Sequence, residues 1–117
     1  MTAKTIVHKK VRPYPFEGSV ELNTVKRGVE VMHITTGGFI ARLKNGLVSV
    51  GERYQAVLEM PVFHNFVNTP VRVIKTYDRA VDPKKHRVDR MAEFHFENLT
   101  DDHRQYIVTF LTAIGQK

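Results

Sequence analysis

Turn-forming residues punctuate this chain at short, even intervals, and that spacing limits what it can become. Pro13-Tyr14-Pro15, Glu17-Gly18, Arg27-Gly28, Gly37-Gly38, Asn45-Gly46, Val50-Gly51, Asn68-Thr69-Pro70 and Asp82-Pro83 leave room only for short segments between them. Glycine and proline favour turns over element interiors, and short runs between regular turns specify an all-β barrel or sandwich.

The runs themselves carry period-two character. Phe39, Ala41 and Leu43 fall on one face, and Tyr54, Ala56, Leu58 and Met60 alternate with Arg53, Gln55 and Glu59. The same alternation groups Val71, Val73 and Tyr77 opposite Arg72, and Val88 with Ala92, Phe94 and Phe96. Glu17 to Asn23 is short and mixed; Val29 to Ile34 is apolar on both faces with His33 inside it. β-branched and aromatic residues are frequent throughout, as strands prefer. The period then changes. Ile107, Phe110, Leu111 and Ile114 lie at i, i+3, i+4 and i+7, one stripe of a helix. Thr100 suits its N-cap, Asp101 and Asp102 its positive end, and Gly115 its C-terminal cap. The helix spans about 100–114 and covers one end or side of the barrel.

A length of 117 residues fits one domain, read here as a basic N-terminal arm over 1–15 and a single barrel domain over 16–117. With no cysteine, disulfide frameworks, thiol catalysis and thiolate zinc sites are excluded. The N-terminus lacks an apolar core, so no signal peptide is expected, and no apolar run reaches membrane-spanning length. The cytoplasm is the expected location. Lys and Arg outnumber Asp and Glu by 18 to 12, a formal charge of +6, which suits an anionic partner. The charged stretch Arg79 to Arg90 reads as a hairpin connection, either plainly solvated or contacting an anion or partner.

Signals for catalysis are poor. There is no Gly-x-Ser-x-Gly elbow, no Walker loop and no His-Glu-x-x-His, and His8, His33, His64, His86, His95 and His103 lack ligand spacing. Neither an enzyme nor a metal site is expected. Two clusters stand out instead. His8-Lys9-Lys10-Val11-Arg12 is a basic segment before the first turn prolines, and His33-Ile34-Thr35-Thr36-Gly37-Gly38 is a strand end with hydroxyls followed by glycines. In the second, His33 and Thr35 are two apart in a strand and reach the same side, while glycine admits a ligand to the backbone.

Together these clusters resemble the PilZ domain family, which has an N-terminal Arg-x-x-x-Arg loop followed by Asp/Asn-x-Ser-x-x-Gly. His8-x-x-x-Arg12 stands at the first motif and His33-Ile34-Thr35-Thr36-Gly37-Gly38 at the second. Phe94-His95-Phe96-Glu97-Asn98-Leu99-Thr100-Asp101-Asp102, running into Arg104, Tyr106, Ile107 and Phe110, looks like the family's last strand and closing helix. The resemblance covers about His8 to Leu111 and rests on the order of the motifs. It implies a six-stranded antiparallel barrel with a C-terminal helix, and as ligand the bacterial second messenger cyclic di-GMP. The nucleotide-binding residues it implies are His8, Lys9, Lys10, Arg12, His33, Thr35, Gly37 and Gly38.

The chain departs from the family pattern at several positions. His8 replaces the first arginine, leaving Arg12 as the only guanidinium fork, and Lys9 and Lys10 supply charge without a fork. His33 replaces a carboxylate or amide; a neutral imidazole offers one acceptor and a protonated one none. Thr35 keeps the hydroxyl and Gly38 the glycine, whereas Glu93 stands where the family often has glycine. Charge-assisted hydrogen bonds contribute about 1.5–3 kcal/mol each, so two lost groups cost roughly a hundredfold to ten-thousandfold in affinity unless a lysine compensates. Two functions therefore stay open. One is a small receptor that binds cyclic di-GMP and relays it to a protein partner. The other is a degenerate PilZ adaptor that binds a protein of the type IV pilus or motility machinery without nucleotide. A nucleic-acid-binding barrel ranks below both, because no aromatic stacking platform with interleaved basic residues is visible.

Overall fold

The structure, a computed structural model, describes residues 14–82, 84 and 87–115. Six strands, β1 (Phe16–Leu22), β2 (Val25–Ile34), β3 (Gly38–Leu43), β4 (Arg53–Glu59), β5 (Phe66–Asp82) and β6 (Arg87–Phe96), precede one helix, α1 (Asp101–Ala113). Every pairing is antiparallel and the sheet closes on itself in the order β1-β2-β3-β6-β5-β4. This is the six-stranded barrel with a C-terminal helix that the resemblance implies, with the helix where the change of period places it. Closure joins every strand to two neighbours, which leaves the barrel without an open edge.

Alternation decides what fills the interior. Tyr54, Ala56 and Leu58 of β4 are buried while Arg53, Gln55 and Glu59 face water. Phe39, Ala41 and Leu43 point inward from β3, and Phe39 stacks on Phe94 of β6 with centroids 4.8 Å apart. Val20, Val29, Val31 and Val71 add β-branched side chains to the core. α1 starts at Thr100, whose hydroxyl accepts from the His103 N–H at 3.1 Å, and ends before Gly115 at φ +85°. Its stripe buries Ile107 and Phe110, with Leu111 and Ile114 half-buried beside them. Phe110 meets Tyr14 and Phe16 edge-on at 5.5 and 5.6 Å, which docks the helix where β1 enters the barrel. No described helix is long and apolar enough to cross a membrane.

Some turn signals lie inside strands. Glu17-Gly18 is in β1, Arg27-Gly28 in β2 and Asn68-Thr69-Pro70 in β5. Pro70 is tolerated because its carbonyl accepts from Glu97 N, so its missing N–H faces the same side, beyond the last β6 pair at Phe96. The first hairpin instead turns at Asn23 and Thr24, both at positive φ (53° and 64°), with Leu22 opposite Val25. Two left-handed residues between paired strands match the twist of a hairpin, and Asn is the commonest non-glycine there.

Two bulges change which way residues point. Pairing of β2 with β3 shifts between Val31 and His33, and pairing of β5 with β6 shifts between Val73 and Lys75. Strict alternation from Val31 would send His33 into the core; the extra residue, Met32, turns His33 outward and Ile34 inward. Likewise Ile74 breaks the expected grouping of Tyr77 with Val71 and Val73. Tyr77 pairs with Met91 on the outer face instead.

Most of the charged Arg79-to-Arg90 stretch is ladder rather than loop. β5 and β6 continue pairing past the barrel wall, and Arg79–Asp89 and Arg90–Asp78 form cross-strand ion pairs at 3.1 and 3.0 Å. Val88 keeps the register of Ala92 and Phe94 but lies on this projecting part, where no core covers it and it is exposed.

Candidate functional site

A depression of about 260 Å³ opens on the outer wall where β2, β3 and β6 run side by side. His33, Thr35, Gly37 and Gly38, the four expected ligand contacts of the second sequence cluster, all line it. Glu93 and His95 of β6 add polar groups to its lining, and Ile40 of β3 an apolar one. His8, Lys9, Lys10 and Arg12 lie outside the described residues.

The turn between β2 and β3 is built by its own side chain. Thr35 Oγ1 accepts from Gly37 N at 3.1 Å, and Thr35 N donates to Gly38 O at 2.8 Å. Threonine favours such local bonds over continued ladder, so β2 stops here. Gly37 O then accepts from Phe96 N at 3.0 Å, tying the turn to the end of β6. Thr35 Oγ1 also donates to Gly38 O at 3.5 Å, so the turn uses its proton and one acceptor site and leaves one lone pair.

Gly38 is required by the barrel itself. A Cβ there would fall 2.0 Å from Phe94 O and 3.0 Å from His95 Cα, so β3 and β6 approach closely only because position 38 is bare. The glycine was expected to admit a ligand; its steric role is to admit the neighbouring strand. A Cβ on Gly37 meets only Thr35 Oγ1 at 3.6 Å, an ordinary contact.

Register arranges the remaining groups. Ile40 pairs with His33 on one side and Glu93 on the other, so an imidazole and a carboxylate flank it across three strands. His95 pairs with Gly38, and its Nε2 lies 3.1 Å from Glu93 Oε2. On the far side of β6, Lys75 pairs with Glu93 and Arg72 with His95. Arg72 in turn pairs with Arg53 of β4. Between these two guanidiniums sits Glu97, 2.5 Å from Arg53 Nε and 2.6 Å from Arg72 Nε. Hydrogen bonds from Arg53 and then Arg72 hold the Glu97 carboxyl below its ordinary range. Arg72 Nη1 also donates to Gly51 O at 2.7 Å.

Glu93, at a position where PilZ domains often have glycine, lines the same depression as His33 and Thr35. The signal was present: Phe94 and Phe96 read as core, and in a strand that sends Glu93 and His95 outward together. Among the described residues no group of three or more His, Asp or Glu side chains is placed to hold a metal.

Two solved structures share this architecture. The PilZ domain of YcgR from Escherichia coli with c-di-GMP matches at TM-score 0.73 and 16% identity, over 86% of this chain and 81% of that one. The crystal structure of YcgR in complex with c-di-GMP from Escherichia coli matches at TM-score 0.69 and 15% identity, over 89% of this chain and 42% of that one. No family model and no curated protein matches the sequence. The likeness establishes a PilZ-like fold.

Proposed function

We propose that this protein is a PilZ-type receptor that binds cyclic di-GMP at the β2–β3–β6 depression and relays that binding to a protein partner. One observation carries the reading. His33, Thr35, Gly37 and Gly38, singled out by sequence order alone, converge on one depression, in a fold shared with a PilZ domain solved with c-di-GMP.

The chemistry follows from what each group offers. A guanine base presents two adjacent N–H donors on one edge. Glu93 supplies a carboxylate within reach of the depression, the group that His33 no longer provides. His33 and the Thr35 hydroxyl add single contacts, and Ile40 gives the base an apolar one. Lys9, Lys10 and Arg12 bring charge for the phosphates, with Arg12 alone offering a planar fork. Closing that arm over the ligand would create the surface a partner reads. A bacterial, cytoplasmic setting and a motility or pilus partner belong to the same proposal and are supported by the resemblance alone.

Titration calorimetry of the full chain with cyclic di-GMP tests the reading. Micromolar binding is expected, weakened about tenfold or more in Arg12→Ala. Absence of heat at high micromolar ligand would sink it. In that event the nucleotide-free adaptor stands. The feature favouring it is a separate, largely apolar groove of about 340 Å³ between Phe63 in the β4–β5 loop and Val108 and Thr112 of α1.

A further inference from the structure

The depression is too small for a cyclic dinucleotide. Ligand pockets that bury most of a drug-sized molecule hold about 300–1,000 Å³, whereas this one holds about 260 Å³ and is open to solvent. It has room for one base. The phosphates of any dinucleotide seated there must lie on the barrel wall outside it.

What that wall carries is set by the second bulge. Strict alternation along β5 would face Arg72 outward and Lys75 inward. The extra residue at Ile74 puts Lys75 on the outer face as well, opposite Glu93, while Arg72 stands opposite His95. Directly opposed residues on one face have Cβ atoms about 4.5–5.5 Å apart. Both cations therefore rise one strand beyond two residues that line the depression. The bulge in β2 does the same on the opposite side, turning His33 outward. Bulges recur next to functional sites because they re-aim side chains, and here both serve one face.

The charges on this wall do not cancel. Glu97 is one carboxylate shared by Arg53 and Arg72, and the side chains of both arginines are more exposed (63% and 43%) than that of Glu97 (22%). Lys75 packs its ammonium over the Tyr77 ring at 5.3 Å, which steadies it without neutralising it.

We infer that Arg72 and Lys75 of β5 form the phosphodiester subsite of this receptor, one strand beyond the base-sized depression. The inference rests on the nucleotide reading above. Arg72 stands one strand nearer the depression than Arg53, and Glu97 pairs with both. Arg72 spends Nε on Glu97 and one Nη1 proton on Gly51 O, and its remaining Nη protons, with the Lys75 ammonium, offer donors to a phosphodiester in place of the arginine that His8 replaces in the N-terminal arm.

The test is calorimetric titration of cyclic di-GMP into the full chain and into Arg72→Gln, Lys75→Gln and Arg53→Gln, with thermal midpoints recorded for each. Arg72→Gln and Arg53→Gln both break an ion pair to Glu97, but only Arg72 stands opposite a residue that lines the depression. Expected are losses of about tenfold or more for Arg72→Gln and Lys75→Gln, and a change within about threefold for Arg53→Gln. If the parent chain binds while Arg72→Gln and Lys75→Gln keep its affinity, the subsite is wrong and the receptor stands. Equal losses in Arg53→Gln and Arg72→Gln would likewise overturn it, by tracing the effect to the Glu97 cluster. No binding by the parent chain removes the subsite and the receptor together. Lys75 is exposed and outside the Glu97 cluster, so its variant decides the matter even if Arg72→Gln unfolds.

Discussion

Glu93 and His95 stand two residues apart on the same face of β6, and their side chains meet at 3.1 Å beside the depression. Their meeting makes the sign of one substitution informative. If the Glu93 carboxylate accepts from a guanine edge, Glu93→Gln replaces a charged acceptor by an amide and weakens cyclic di-GMP binding about tenfold. If it merely repels phosphate, the same change strengthens binding. The first outcome is expected, with little effect on the thermal midpoint because the side chain lies on the outer face.

Gly37 and Gly38 are adjacent but should respond oppositely to alanine. Gly38→Ala drives a methyl into Phe94 O and forces β3 from β6; overpacking of this kind costs about 1–3 kcal/mol or more. Gly37→Ala adds a methyl in ordinary contact and should stay within about 0.5 kcal/mol. Urea unfolding of both variants checks the contrast. Equal midpoints would contradict the strand approach described here.

Thr69 is the one buried polar residue of the described core, and its hydroxyl has no hydrogen-bond partner. A buried hydroxyl left unpaired costs about 1–3 kcal/mol, while an apolar group of the same shape avoids the cost. Thr69→Val is expected to stabilise the protein by about 1 kcal/mol, raising the midpoint by about 4 °C in calorimetry. A fall in the midpoint would mean that the hydroxyl is satisfied in solution.

Much of this architecture can be read from the residues, and the exceptions have physical causes. β4 and α1 follow their periods closely because each has one wet and one dry side. The first hairpin was misplaced because Asn23-Thr24 lacks the glycine that announces such a turn, while Gly18 and Gly28 sit inside strands. The bulges were invisible, since inserting one residue leaves composition and polarity unchanged and only pairing reveals the shift. Among the described residues proposed to touch ligand, His33, Thr35, Gly37 and Gly38 were legible from motif order. Glu93, Arg72 and Lys75 needed the register, because they come from strands distant in sequence from that motif.

Glu97 links acid stability to the Arg53–Arg72 cluster. Its carboxyl titrates below the ordinary value of 4.5 in the folded chain, so its contribution is present above that value and is lost as pH falls through the lowered one. Glu97→Gln should therefore be less stable than the parent at neutral pH, with the gap closing as acid protonates the parent. Unfolding midpoints of both chains from neutral pH down to about pH 3 read this out. A gap that stays constant would mean that the cluster owes nothing to the carboxylate's charge.

The close seam at Gly38 has a consequence for how such a domain can diversify. Position 38 answers to the barrel before it answers to any ligand, so it offers selection almost no room to experiment. Positions 33, 35, 72, 75, 93 and 95 lie on the outer wall, where substitutions leave the interior undisturbed. A lineage built on this frame can rewrite its binding chemistry residue by residue while the glycine holds the wall together.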